Sequence, residues 1–332
     1  MLKKRDLRLA TLTLLLGFSL FTLGGCGISG APVEVTLNGY TVDRATGTAY
    51  FNLSAFDASS NLITTGVIEN PSITVNQALD ASGNELGNVS ATARVCGDIV
   101  SHDAITAVVT LDATGSMADN DPNNLRSDAA KAFIDRLGVA DLAAVASFDT
   151  DTAPTPSFSA IHVWQNFTND KTLLYTAIDA ATFAGGGTNL WDAIIDDVNL
   201  LLTETSGAEK VALVLTDGED TDSLATSSGA ATYAADNGVK VYMIGLGDPQ
   251  WIDFSEMQDV ARQTGGLFAA ANDPAQLEQL FDGMFNATKA SFCIEATFLV
   301  DGAPPAPGTT IRGSLTFTLN GREFSVDYTV TF

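Results

Sequence analysis

The stretch Leu111-Asp-Ala-Thr-Gly-Ser116 places an aspartate, a threonine and a serine at alternate positions, directly after the apolar run Ala107–Leu111. Alternate residues of an extended chain point the same way, and Gly115 permits a tight turn among them. Two more polar loops share this character. Gly185-Gly-Gly-Thr188 precedes a helical pattern, and Thr216-Asp217-Gly-Glu-Asp220 follows the apolar run Val211–Leu215. Together Asp112, Thr114, Ser116, Thr188 and Asp217 offer two carboxylates and three hydroxyls. Such hard oxygen ligands suit Mg²⁺ or Mn²⁺, with Ca²⁺ a weaker fit. The set is too small to fill an octahedron, so waters and one outside ligand would complete it. Taken singly, each loop reads equally well as a polar turn.

For the three loops to act together, the fold must bring them to one edge. Residues 104–290 alternate short apolar runs with amphipathic stretches. The pattern predicts strands over 106–112, 142–148, 162–167, 210–216, 240–246 and 267–271. It predicts helices over 121–137, 171–182, 189–205, 223–237, 254–264 and 274–287, with Asp121 capping the first ahead of Pro122. Leu190, Ala193, Ile194, Val198, Leu201 and Leu202 recur at helical spacing and would bury one face. The expected class is therefore α/β, a doubly wound, mostly parallel six-stranded sheet covered by helices on both sides. Ligands of such sheets collect at the carboxyl ends of the strands.

The flanks alternate with period two instead. Thr48–Asp57 does so, as do 315–319 and 324–332 around Asn320-Gly321, a hairpin signal. Four or five strands are expected within 28–103 and three within 291–332. The simplest organisation is a signal at 1–25, one β-sandwich built from 26–103 and 291–332, and the α/β domain 104–290 inserted between its halves. Two separate small β units are the alternative.

The ordered loops resemble the metal-ion-dependent adhesion site of von Willebrand factor type A domains, which pair Asp-x-Ser-x-Ser with a distant threonine and a later Thr-Asp-Gly aspartate. Here threonine replaces the first serine and keeps the hydroxyl. The resemblance spans about 104–290 and implies strand order 3-2-1-4-5-6, with the strand near 162–167 antiparallel at an edge. It implies a metal that accepts a carboxylate from a protein partner. It also implies a last helix, 274–287, able to shift along its axis, as in the related integrin domains.

At the N-terminus, Lys3, Lys4, Arg5 and Arg8 precede an apolar run, Leu9–Leu23, too short to span a bilayer. It reads as a secretory signal. Leu23-Gly-Gly-Cys26 looks like a bacterial lipobox, with Cys26 lipidated after cleavage and a glycine following it; an ordinary signal ending near a cysteine is the alternative. Removing 1–25 moves the net charge from −24 to about −27. Cys96 and Cys293 then remain, and an oxidising compartment suggests that they form one disulfide rather than two buried thiols. Closing so long a loop stabilises by at most about 5 kcal/mol in a chain-entropy model.

The acidic balance argues against nucleic acid. Position 114 is Thr, not the second Asp of haloacid-dehalogenase-type phosphatases, and no Gly-Lys-Ser/Thr follows the glycines. His102 and His162 lie in no nucleophile motif. Asp119, Asp121, Asp149, Asp151, Glu219, Asp220 and Asp222 read as solvated loop acids, with a calcium site among them a lesser alternative. The expectation is a non-enzymatic lipoprotein of the bacterial envelope, at the outer membrane, cell surface or periplasm. It would be held to the membrane by its lipid and would bind a protein partner's acidic side chain through the metal. A scaffold or assembly role in an envelope complex is the alternative, and a metal-dependent hydrolase a third, weaker reading.

Overall fold

The computed structural model describes residues 31–183, 185–247 and 252–332. Cys26 and the signal segment lie outside them. The described residues begin with four strands, β1 (Glu34–Asp43), β2 (Thr48–Phe56), β3 (Ile68–Leu79) and β4 (Val89–Ser101). The α/β portion follows: β5 (Ile105–Asp112), α1 (Met117–Asn120), α2 (Leu125–Asp135), β6 (Leu142–Phe148), β7 (Ile161–Thr168), α3 (Lys171–Ala181), α4 (Leu190–Leu202), β8 (Glu209–Thr216), α5 (Ser227–Asp236), β9 (Val239–Leu246), α6 (Ser255–Thr264), β10 (Phe268–Ala271) and α7 (Leu277–Lys289). Strands β11 (Ala290–Val300), β12 (Thr310–Leu319) and β13 (Arg322–Thr331) close the chain. Among the described residues no helix is long and apolar enough to cross a membrane.

The six α/β strands lie in the order β7-β6-β5-β8-β9-β10, with β7 antiparallel to β6 and the others parallel. This is the expected doubly wound sheet. Strand β5 is central because it is apolar to both sides: Val109 and Leu111 pack beneath α2, α3 and α7, and Val108 packs beneath α4, α5 and α6. Every residue of β5 is buried.

The sheet does not stop at six strands. β10 meets β1, and the order continues β1-β2-β11-β4 to make ten. The junction is a single antiparallel pair, Tyr40 opposite Phe268. Gly39 allows it, since a Cβ there would stand 2.9 Å from the Phe268 carbonyl oxygen. Six strands were therefore too few for the sheet, because periodicity within a strand carries no information about what pairs with its edge.

Strands from the two ends of the chain are interleaved. β11 lies between β2 and β4, and β12 lies between β3 and β13 in a second, three-stranded sheet. The two sheets enclose an aromatic core of Phe51, Phe292, Phe298, Phe317 and Tyr328. A disulfide joins Cys96 on β4 to Cys293 on β11, with the Cα atoms 5.1 Å apart. β4 leads into the α/β portion and β11 leaves it directly after α7.

The first predicted helix, 121–137, needs correction. The chain makes the short α1, a break at Asp121–Asn124, and then α2. Asn124 sits at φ 54°, left-handed, so the helix cannot run through it. Asp121 still binds the free N–H groups of the next helix: its carboxylate accepts from Leu125 N at 2.8 Å and Arg126 N at 3.1 Å. The fourth predicted helix, 223–237, begins only at Ser227, after Thr226 takes the capping position.

Candidate metal centre

All three polar loops reach the carboxyl edge of the sheet. Asp112 ends β5, Thr216 ends the neighbouring β8, and Asp217 follows it directly. The loop before α4 is bonded to the loop after β5 at two points. Gly185 N donates to Ala113 O at 2.9 Å, and Gly115 N to Gly186 O at 3.1 Å. Gly186 is at φ +73°, and a Cβ there would lie 2.7 Å from Asp151 N, so the approach of this loop to the one after β6 requires glycine.

Four of the five candidate ligands form one hydrogen-bonded chain. Thr114 Oγ1 donates to Asp112 Oδ1 at 2.6 Å and lies 3.2 Å from Ser116 Oγ. Ser116 Oγ donates to Asp217 Oδ1 at 2.7 Å. Thr188 shares no hydrogen bond with these four and is held by its backbone instead. Its carbonyl oxygen accepts from Thr221 N and Asp222 N, at 2.8 and 2.9 Å, which ties its loop to the one that follows Asp217. Asp112, Thr114, Thr188 and Asp217 are buried, whereas Ser116 is exposed and gives the site its opening.

Two buried carboxylates this close repel one another. Burial pushes the Asp112 carboxyl up to about 6, and the Asp217 charge adds to the rise; hydrogen bonds from Thr114 and Thr216 act against it. A divalent cation would remove that penalty. The donor set fits one: the hydroxyls point their protons at carboxylate oxygens, which leaves oxygen lone pairs for a metal. No cluster of three or more His, Cys, Asp or Glu able to hold a metal occurs among the described residues. The centre is hydroxyl-rich, with only two acids, and that favours a hard cation.

Two further residues support the carboxylates. Thr216 Oγ1 donates to Asp112 Oδ2 at 2.6 Å, and Asn120 Nδ2 to Asp217 Oδ2 at 2.9 Å. Thr216 adjoins Asp217 and ends a buried strand, which was a usable signal. Asn120 had none, since its role depends on the short α1.

The loop acids divide into two kinds. Asp119, Asp151, Glu219 and Asp222 are exposed and Asp220 is half-buried. Asp121 and Asp149 are not solvated, contrary to expectation. Asp121 pairs with the buried Arg126 at 2.8 Å. Asp149 Oδ1 accepts from Asp151 N and Thr152 N, turning the loop after β6. A short loop acid looks the same in sequence whether it faces water or folds back on backbone N–H groups.

Residues 108–283 match the family model of the von Willebrand factor type A domain, more than half of the chain. The chain belongs to that family. Among solved structures, this type A domain chain is similar to proximal thread matrix protein 1 from the mussel byssus, at 19% identity and a TM-score of 0.48, covering 62% of this chain and 51% of that one. It thus spans about half the length of the mussel protein, which has also been solved with zinc in its MIDAS motif. It is similar to a von Willebrand factor type A protein from Catenulispora acidiphila, at 16% identity and a TM-score of 0.48, covering 82% and 75%. A third is the conserved hypothetical protein BatB from Bacteroides thetaiotaomicron, at 17% identity and 0.45, covering 55% and 98%. No curated protein matches.

Proposed function

We propose that this type A domain protein binds a protein partner through a divalent cation, Mg²⁺ or Mn²⁺, held by Asp112, Thr114, Ser116, Thr188 and Asp217. The supporting observation is the bonded chain from Asp112 through Thr114 and Ser116 to Asp217, built from two adjacent strand ends. Bound there, the cation would act as a Lewis acid able to accept a carboxylate of the partner. The chain's own residues hold the ligands in register: Thr216 fixes Asp112, Asn120 fixes Asp217, and the glycines bring Thr188 close. Binding rather than turnover is the output. His102 faces Glu209 at 3.7 Å and His162 bonds the Ala153 carbonyl, so neither pairs with a serine or cysteine. We further propose that Cys26 carries lipid and anchors the chain in a bacterial envelope, with the sandwich as its stalk.

The test is capture from the native envelope on the immobilised chain, in Mn²⁺ and in EDTA, with Asp217→Ala as control. A partner retained in Mn²⁺, released by EDTA and lost on the variant supports the reading. Retention that ignores both chelation and the substitution would sink it.

A further inference from the structure

Leu224 is the most exposed large apolar residue of the described chain, at 97%. A lone exposed leucine means little. This one is held in place. Its N–H donates to Asp192 Oδ2 at 2.8 Å, and that of Ala225 to Asp192 Oδ1 at 2.9 Å. One residue earlier, Ser223 Oγ accepts from Trp191 N and Asp192 N at the first turn of α4. Two residues earlier, Asp222 N is bonded to the carbonyl of Thr188, a candidate metal ligand. The leucine thus stands on a fastened loop at the same edge of the sheet as the candidate metal centre, two residues beyond the bond to Thr188.

Its surroundings are of one sign. Loop segments 113–124, 149–160, 185–189, 217–226 and 252–254 contain no lysine or arginine. They expose Asp119, Asp151, Glu219, Asp222 and Asp253. Arg126 is buried against Asp121, and Arg44 reaches the start of α6 from the sandwich hairpin, where Asp259 pairs it. Apart from Lys131, which pairs with Asp179 midway along α2, the remaining cations of the domain gather at the other edge. Lys210 and Lys240 open β8 and β9, and Arg136, Arg262 and Lys289 stand where α2, α6 and α7 end. A partner carboxylate approaching the metal must therefore cross a negative rim, and neighbouring positive charge on the partner would offset that repulsion.

We propose that Leu224 is the apolar anchor of a docking face centred on the metal site, and that the partner presents a carboxylate ringed by lysine or arginine beside an apolar recess. This rests on the metal-dependent binding proposed above, and the experiment separates the two. The full chain, loaded with Mg²⁺, is titrated with a labelled lysine-rich peptide carrying one central glutamate and two leucines. One comparison peptide replaces the lysines by serine, and another replaces the glutamate by glutamine.

The lysine peptide should bind about tenfold more tightly than the serine peptide and lose that margin at high salt. Leu224→Ala should weaken it by about tenfold, as for loss of one buried leucine contact. Val139→Ala should leave it unchanged; Val139 is 93% exposed but lies between α2 and β6 at the opposite edge. Equal binding of the serine peptide would overturn the basic partner, and a Leu224 effect no larger than that of Val139 would overturn the anchor. Equal binding of the glutamine peptide, or indifference to EDTA, strikes instead at the metal bridge. No binding of any peptide at millimolar concentration counts against both.

Discussion

The α/β domain and the β-sandwich are joined in one sheet, yet they are built on different principles. The sandwich core is aromatic and aliphatic, and a disulfide closes it where the chain enters and leaves the insert. The α/β domain buries Asp112, Asp121, Asp149, Asp197, Asp217 and Arg126. Buried charge is costly unless paired or bound to a metal, so a domain seldom carries this much for stability alone. The sandwich is held by apolar packing and a disulfide, whereas the insert keeps buried acids, some paired with a cation, as Asp121 with Arg126 and Asp141 with Lys289, and some gathered at the carboxyl edge, as Asp112 and Asp217.

The comparison can be broken first at Arg126. Its guanidinium pairs with Asp121 and donates to the Phe183 carbonyl at 3.0 Å, and both side chains are almost fully covered. Arg126→Ala leaves a buried carboxylate uncompensated and should cost about 3–5 kcal/mol in denaturant unfolding. A loss below about 1 kcal/mol, the range of surface pairs, would show that water reaches Asp121.

Next is the staple. Replacing Cys96 and Cys293 together by serine should lower stability by about 2–4 kcal/mol while leaving metal affinity unchanged, read by calorimetric titration of Mn²⁺. Because β11 follows α7 without a break, a changed metal affinity would show instead that the staple also restrains that helix.

Metal addition comes third. At free Mg²⁺ or Mn²⁺ 100 times its dissociation constant, linkage stabilises the fold by about 2.7 kcal/mol. The gain should appear in the α/β domain and vanish in Asp217→Ala. A shift that persists in that variant would place the cation elsewhere.

How much was legible follows the same division. Apolar runs such as Val211–Leu215 set the six α/β strands to within a residue, while helical spacing found all six helices but fixed both ends closely only for 171–182 and 254–264, because caps and breaks lie outside local periodicity. The three polar loops that meet at the carboxyl edge were legible because side-chain type and order are written in the chain. What escaped was tertiary: the pairing of β10 with β1, the left-handed Asn124 that splits the first helix, and the burial of Asp121 and Asp149. Loop 217–226 looked helical from Ser223 onward. It stays a loop because Thr188, Trp191 and Asp192 claim its hydrogen bonds.

The smallest expected effect bears most directly on what the buried acids are for. Asp197 on α4 is fully covered beneath β5. Its Oδ1 accepts from Thr110 Oγ1 at 2.7 Å, but Oδ2 has no partner. Thr110 stands two residues before Asp112 on the same strand, yet Asp197 is not among the candidate ligands. Burial raises its carboxyl well above the ordinary range, the Thr110 hydrogen bond opposes that rise, and the Asp196 charge adds to it. A raised value means that the folded chain holds this proton more tightly than the unfolded chain does. The group's contribution is then fully present below its unfolded value, near 3.8, and is lost as pH rises through the folded value. Asp197→Asn keeps an acceptor for Thr110 and removes the charge. The variant should match the parent near pH 4 and exceed it by about 1 kcal/mol at pH 8, the scale of one unsatisfied buried group. Melting curves across that range decide it. Parallel curves would mean that the charge is compensated, and the rule that the insert's buried acids cost stability unless a metal or a cation meets them would fail at its plainest case.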